Sequence, residues 1–164
     1  MWSGKSTSVQ RELRRAAAGG LSTVLVRPAL DTRTEEAATH DGLVMASVVL
    51  EDLYSLLPVR GFDVVAVDEA QFFGAELADF CSALAAEGVR VVVGGLDGDS
   101  NQHTFGHIHR LLPIADTFEK LSAVCVRCGA DAPFSARNDH SDVGGVCVGG
   151  AETFRASCRK CLGQ

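Results

Sequence analysis

Cys125-Val126-Arg127-Cys128 and Cys158-Arg159-Lys160-Cys161 place two C-x-x-C pairs in the last quarter of the chain, and this spacing limits its possible folds more than any other feature. Each pair turns both sulfurs to one side, and two such turns facing each other assemble a tetrahedral four-thiolate site of the kind that holds zinc. Four protein ligands leave no open position, so the metal is expected to be structural rather than catalytic. The 29 residues between the pairs exceed usual zinc-ribbon spacing, so they are expected to form a hairpin or long loop of their own. Redox dithiols use the same motif and stand as the alternative. Cys81 falls on the apolar side of a predicted helix and reads as a core thiol.

A length of 164 residues with 46% hydrophobic content suits one domain, or one domain with a small appendage. The formal charge of −6 gives a negative far field that disfavours nucleic acid and anionic membranes as partners. No apolar run approaches the roughly 20 residues needed to cross a bilayer, and the first residues lack a secretory-signal layout, so a cytoplasmic location is expected. Intracellular thiols stay reduced, which sets disulfides aside for the six cysteines.

Ser22 to Arg27, Asp63 to Val67 and Val89 to Val93 are short β-branched runs that predict strands buried on both faces. Helical stretches are predicted from Val9 to Ala18, ending at Gly19-Gly20, from Met45 to Leu57, and from Ala75 to Glu87, closed by Gly88 as a left-handed cap. Strands alternating with helices imply a parallel α/β sheet. After about Lys120 the pattern changes: β-rich Leu121 to Val126 and Val146 to Val148 are bracketed by the cysteine pairs, which predicts an α/β domain over 1–119 and a zinc-binding β lobe over 120–164.

Ser3-Gly4-Lys5-Ser6 matches the end of G-x-x-x-x-G-K-[ST], in which backbone amides and a helix N-terminus cradle phosphates, the lysine bridges them and the hydroxyl ligates Mg2+. The first glycine, one spacer and the preceding strand would lie ahead of Met1; a natural chain starting there is expected to lack half of the phosphate cradle, whereas a longer product would restore the loop. Val64 to Glu69 reads as an apolar strand ending in two carboxylates, which brings Asp68 toward a metal and sets Glu69 where a proton acceptor is needed. A strand-end helix cap is the plainer use of those acids.

Taken together, MWSGKS (1–6), Asp31-Thr32-Arg33, Thr39-His40-Asp41, VDEAQFF (67–73), Leu96-Asp97-Gly98, Phe105-Gly106, KLSAVCVRC (120–128) and VGGAETFRASCRKC (148–161) resemble the zinc-containing type II thymidine kinase family across nearly the whole chain. The resemblance implies a P-loop NTPase-like sheet with a zinc lobe, and transfer of the γ-phosphoryl of ATP to the 5′-hydroxyl of thymidine with Mg2+. By position, Glu69 corresponds to the general base. Ser3, Gly4, Lys5, Ser6, Asp31, Arg33, Asp68 and Gln71 fall on the ATP and Mg2+ side. Met1, Leu96, Phe105, Ser135, Gly145, Val146, Cys147, Val148, Gly149 and Phe154 fall on the nucleoside side, while Cys125, Cys128, Cys158 and Cys161 are the zinc ligands. A homotetramer inhibited by its triphosphate end product is also implied.

The chemistry suits these residues: a flat base calls for aromatic walls such as Phe105 and Phe154, and a hydroxyl nucleophile calls for a carboxylate within reach. Ser100 stands where the family usually has a pocket phenylalanine, Thr34 follows the D-x-R element in place of a tyrosine, and Phe154 replaces a tyrosine. With the incomplete loop, these departures leave a kinase-like relic acting as a zinc-stabilised interaction protein as the second hypothesis. A zinc-ribbon nucleic-acid binder is the third, opposed by the charge.

Overall fold

The computed structural model describes residues 2–30, 46–138 and 152–162. The chain divides into two compact units, one of Ser6–Asp97 with Phe105–Asp116, the other of Met1–Lys5, Gly98–Thr104 and Thr117–Gln164.

In the larger unit, four parallel strands lie in the order β2-β1-β3-β4: β1 (Thr23–Pro28), β2 (Ala46–Leu50), β3 (Val64–Val67) and β4 (Arg90–Val93). The centre of the sheet is β3, whose four residues Val64-Val65-Ala66-Val67 are all inaccessible to solvent. A continuous apolar run suits a strand covered on both faces, because neither set of alternating side chains meets water. Helix α1 (Lys5–Ala18) covers one face through Val9, Leu13 and Ala16, which pack with Leu25, Val64 and Ala66. Helix α2 (Leu77–Ala86) packs Leu77, Phe80, Cys81 and Leu84 in the cluster that holds Val24, Val26, Val65 and Val67. Each fully buried Val or Leu contributes about 1.5–3 kcal/mol, so this two-sided core carries the unit.

Both helices stop as their glycines predict. In α2 the N–H of Gly88 (φ +81°) bonds the carbonyl of Ala85, and Val89 N–H bonds that of Leu84. These are the paired closing bonds of a Schellman cap, and the left-handed position between them suits glycine.

The predicted helix over Met45 to Leu57 is overturned. Its beginning is the edge strand β2, in parallel register with β1 from Val24↔Ala46 to Pro28↔Leu50. Leu50, Leu53 and Leu56 repeat at three-residue spacing and imitate a helical face. The β-branched pair Val48-Val49 favours extension, and the open edge of β1 supplies ladder partners that an isolated helix could not. Leu53 is buried beyond the strand end, and Leu57–Val59, with Pro58 in its first turn, form a 3₁₀ turn.

The smaller unit holds two antiparallel ladders: β5 (Ala123–Val124) with β6 (Asp131–Ala132), and β7 (Phe134–Arg137) with β8 (Phe154–Ser157). Thus the long spacer between the cysteine pairs does make a hairpin, with Arg137 opposite Phe154. The strand expected at Val146 to Val148 lies outside the described residues. Burial here is slight: among the described residues, Ala123, Ala132 and Ala156 with Cys125, Cys158 and Cys161 make the whole cluster. Three alanines bury too little apolar area to order such a lobe, and small folds of this kind rely on a metal or disulfides.

Candidate functional site

The carboxyl ends of β3 and β4 form the centre of the site in the larger unit, where ligands of open α/β sheets collect. Asp68 follows β3 directly; its N–H continues the ladder to the carbonyl of Val26 at 3.0 Å, and the residue is buried. Asp68 Oδ1 accepts the N–H of Glu69 at 2.9 Å. Across the strands, Gly94 N–H bonds the Val67 carbonyl and Ala70 N–H bonds the Gly94 carbonyl, so the two strand ends are laced together.

Gly94 has no room to be anything larger. A Cβ there would meet Val9 Cγ2 at 2.6 Å and Asp68 Oδ1 at 3.2 Å. Val9 of α1 and the strand-end acid therefore both crowd this glycine. Helix α1 begins at Lys5, so Ser6 sits in its first turn, one turn before Val9 and Gln10. A carboxylate and a hydroxyl near a helix N-terminus are hard oxygen donors suited to Mg2+, and free amides there suit phosphate.

Glu69 adopts the left-handed region (φ 50°, ψ 40°) and opens a 3₁₀ turn, Ala70–Phe72. For a residue with a Cβ this conformation costs on the order of 1–3 kcal/mol, and such strain concentrates at functional positions. Its half-buried carboxylate accepts a hydrogen bond from Gln71 Nε2, and Gln71 Oε1 accepts the N–H of Leu96 at 2.9 Å. Phe105 meets Phe72 edge to face, with ring centroids 5.8 Å apart. Beside it Gly106 (φ +57°) presses so closely on Gln71 that a Cβ would collide with its backbone carbonyl.

Of the residues singled out from the sequence, the larger unit thus gathers Asp68, Glu69, Gln71, Leu96 and Phe105, with Ser6 on the helix packed beside them. In the smaller unit Ser135 lies on β7 opposite Ala156, and the Phe154 ring lies beneath the Arg137 guanidinium at 5.8 Å. Met1, Asp31, Arg33, Gly145, Val146, Cys147, Val148 and Gly149 lie outside the described residues. Gly94 escaped sequence reasoning, and Phe72 and Gly106 entered it only within the VDEAQFF and Phe105-Gly106 matches, with no role assigned. For Gly94 the signal was the Gly94-Gly95 pair at a strand end, where glycine permits close backbone approach.

The four predicted metal ligands converge. The sulfurs of Cys125, Cys128, Cys158 and Cys161 lie within 4.8 Å of one another, with Cys128 and Cys158 3.5 Å apart. Sulfurs bound tetrahedrally to zinc at about 2.3 Å stand ~3.8 Å apart, so little movement closes the site. Each C-x-x-C turn is braced by backbone: Gly129 N–H bonds the Cys125 carbonyl at 2.9 Å and Cys161 N–H bonds that of Cys158 at 3.1 Å. Hydrogen bonds from the backbone of Cys158, then of Arg127, lower the Cys125 thiol to about 6, and the Cys161 backbone lowers Cys158. Cys161 is pushed up to about 12, first by its side-chain bond to Cys158 and then by burial. Such a cluster can ionise fully only around a cation, which is what a metal supplies. Outside it, burial raises Cys81 to about 12, as befits the core thiol predicted.

A parallel sheet covered by helices, with a serine in the first helical turn and an acid pair at a strand end, is consistent with an α/β protein of the P-loop NTPase type, and the other unit carries a four-cysteine cluster that could hold a metal. The sequence matches the family profile described as thymidine kinase over residues 1–162. It is 39% identical over 173 residues to thymidine kinase of Halobacterium salinarum, covering 98% of this chain and 89% of that protein. It is 38% identical over 164 residues to thymidine kinase of Bacteroides thetaiotaomicron, covering 98% and 82%. Against thymidine kinase of fowlpox virus it is 34% identical over 171 residues, covering 99% and 92%. The chain belongs to the thymidine kinase family. Among the described residues, no helix is long and apolar enough to cross a membrane.

Proposed function

We propose that this protein transfers the γ-phosphoryl of ATP to the 5′-hydroxyl of thymidine, giving dTMP and ADP, with Glu69 as the general base. One observation carries the proposal: a carboxylate held on strained backbone at the carboxyl end of the central strand, hydrogen-bonded through Gln71 to the next strand's exit loop. Magnesium ATP, when bound, supplies the electrophilic phosphoryl group and offsets charge on its oxygens. Lys5 and the helix start bind and orient its phosphates, Ser6 and Asp68 offer oxygens to the cation, and Arg33, by family resemblance, offsets charge in the loose transition state. By the same resemblance, Phe105 and Phe154 offer apolar ring faces to the base. Glu69 takes the proton of the 5′-hydroxyl as that oxygen bonds to phosphorus and the β–γ bridging oxygen departs with ADP.

The four cysteines hold a structural zinc ion in the same proposal, supported by their sulfur spacing and by the meagre apolar core around them. A cytoplasmic homo-oligomer, and a tetramer in particular, is the assembly implied by the family likeness. Sedimentation velocity measures the subunit number.

The deciding experiment is ATP-dependent phosphorylation of thymidine by the protein and by Glu69→Gln. The substitution keeps size and removes the proton acceptor, so turnover is expected to drop ~10²- to 10⁴-fold while calorimetric binding of thymidine persists. Unchanged turnover in the variant rejects Glu69 as the base. A wild-type protein that binds neither thymidine nor ATP favours a zinc-stapled interaction protein instead.

A further inference from the structure

Among the described residues, only Asp68, Gln71 and Ser157 are polar side chains buried as deeply as the core. A buried amide has to satisfy both of its ends, and those of Gln71 do so with two different segments. Its Oε1 accepts from the Leu96 N–H, which dictates the amide's orientation: Nε2 then has to face the Glu69 carboxylate, and does. Packing fixes the rest. A Cβ on Gly95 would stand 3.0 Å from Gln71 Oε1, and one on Gly106 would strike the Gln71 carbonyl, so both turns close on this residue. Its neighbour Phe72 meets Phe105 edge to face. Three segments therefore converge on one side chain and its backbone: the turn bearing Glu69, the exit of β4 at Leu96, and the Phe105-Gly106 turn.

The resemblance sets Gln71 on the ATP side, but both ends of its amide are taken up within the protein. We propose that Gln71 is instead a positioning residue that registers the Glu69 carboxylate against the Leu96 segment, aiming the base at the nucleophile and making no contact with the nucleotide. The proposal rests on Glu69 being the base. A glutamate side chain on a left-handed backbone has three rotatable bonds, and a neutral donor fixed by its own second hydrogen bond selects one orientation without adding charge. Leu96 falls by resemblance on the nucleoside side, so the same amide would hold base and substrate loop at a constant separation. Proton transfer needs that separation within hydrogen-bond reach.

Gln71→Glu tests this, because it keeps an acceptor for Leu96 N–H but replaces the donor facing Glu69 with an oxygen. Turnover is expected to fall ~30- to 100-fold, with KM for thymidine and for ATP each within about threefold of wild type. In a Glu69→Gln background the same change is expected to alter the residual rate less than about twofold, since a residue acting through the base has nothing left to position. Gln71→Leu, which removes both hydrogen bonds, is a second variant should the first fold poorly, and is expected to show the same pattern. A raised KM for ATP with turnover retained overturns the proposal in favour of direct nucleotide contact. Losses that multiply in the double variant overturn it in favour of a purely structural role. If wild type fails to phosphorylate thymidine, the assigned reaction falls separately. The NMR signal of the Gln71 side-chain amide then decides the clamp: Glu69→Gln moves it if the two groups are bonded, and an unmoved signal refutes the bond.

Discussion

Gly94→Ala tests whether this glycine is held between Val9 of α1 and the strand-end acid as tightly as its geometry states. The added Cβ would stand 2.6 Å from Val9 Cγ2, roughly 1 Å inside ordinary carbon contact, and 3.2 Å from Asp68 Oδ1. Val9 is 4% exposed and belongs to a helix-on-sheet cluster, so it cannot simply swing into water. Overpacking of this kind costs ~1–3 kcal/mol, and at ~2–4 °C per kcal/mol for a chain of this size the melting temperature should drop by ~2–12 °C. Val9→Ala alone removes two buried methyl groups and should cost about 1–2 kcal/mol. In the double variant the offending Cγ2 is gone and the new methyl occupies part of the space vacated, so the combined cost should fall short of the sum by ~1 kcal/mol or more. Catalysis should respond differently. The contact with Asp68 survives in the double variant, so a turnover loss on the order of ten- to a hundredfold should persist while stability recovers. Thermal melts and steady-state rates on the four proteins of this cycle measure both. Strictly additive stabilities, or a Gly94→Ala protein that melts like wild type, would refute the proposed packing.

From the proposed zinc site it follows that a strong chelator, or Cys158→Ser, should release one metal ion per chain and expose the amides of β5 to β8 to hydrogen exchange, while β1 and β3 of the larger unit stay protected; mass spectrometry resolves the two. Cys81, held neutral by burial, should resist thiol reagents at pH 8 in the folded protein and react at once in denaturant. Asp63, whose carboxyl is lowered chiefly by the Ser22 hydroxyl (2.7 Å) and then by its N–H (2.8 Å), binds its proton less readily folded than unfolded. Its contribution is therefore present above the usual carboxylate range and fades as pH falls through the lowered folded value. Asp63→Asn should accordingly melt below wild type at neutral pH, with the gap closing in acid.

Local rules located most elements because here they agree with tertiary packing. Continuous valines marked β3 and β4, and Gly88 closed α2 where its conformational freedom implied. The segment from Ala46 onward misled because leucine spacing imitates a helix, whereas strand β2 exists only where β1 offers it an edge. Asp131 and Ala132 have poor strand propensity and pair with β5 only across the turn of the first cysteine pair. At the site, Glu69 and Asp68 stood out because two acids ending an apolar strand are chemically conspicuous. The roles of Gly94, Gly106 and Phe72 were silent, since each depends on what another segment brings within a few ångströms.

The order of residues alone dictated the chemistry on offer: four thiols in two turns, a lysine and serine opening a helix, a carboxylate pair ending a strand, and a series of motifs in family order. Tertiary structure decided which of those groups meet. Covalent neighbours are set by the chain, but the amide that ties the left-handed turn at Glu69 to Leu96, and the crowding of Val9 against Gly94, join segments far apart in sequence. Their burial energy outweighs the local backbone preference of any one of them.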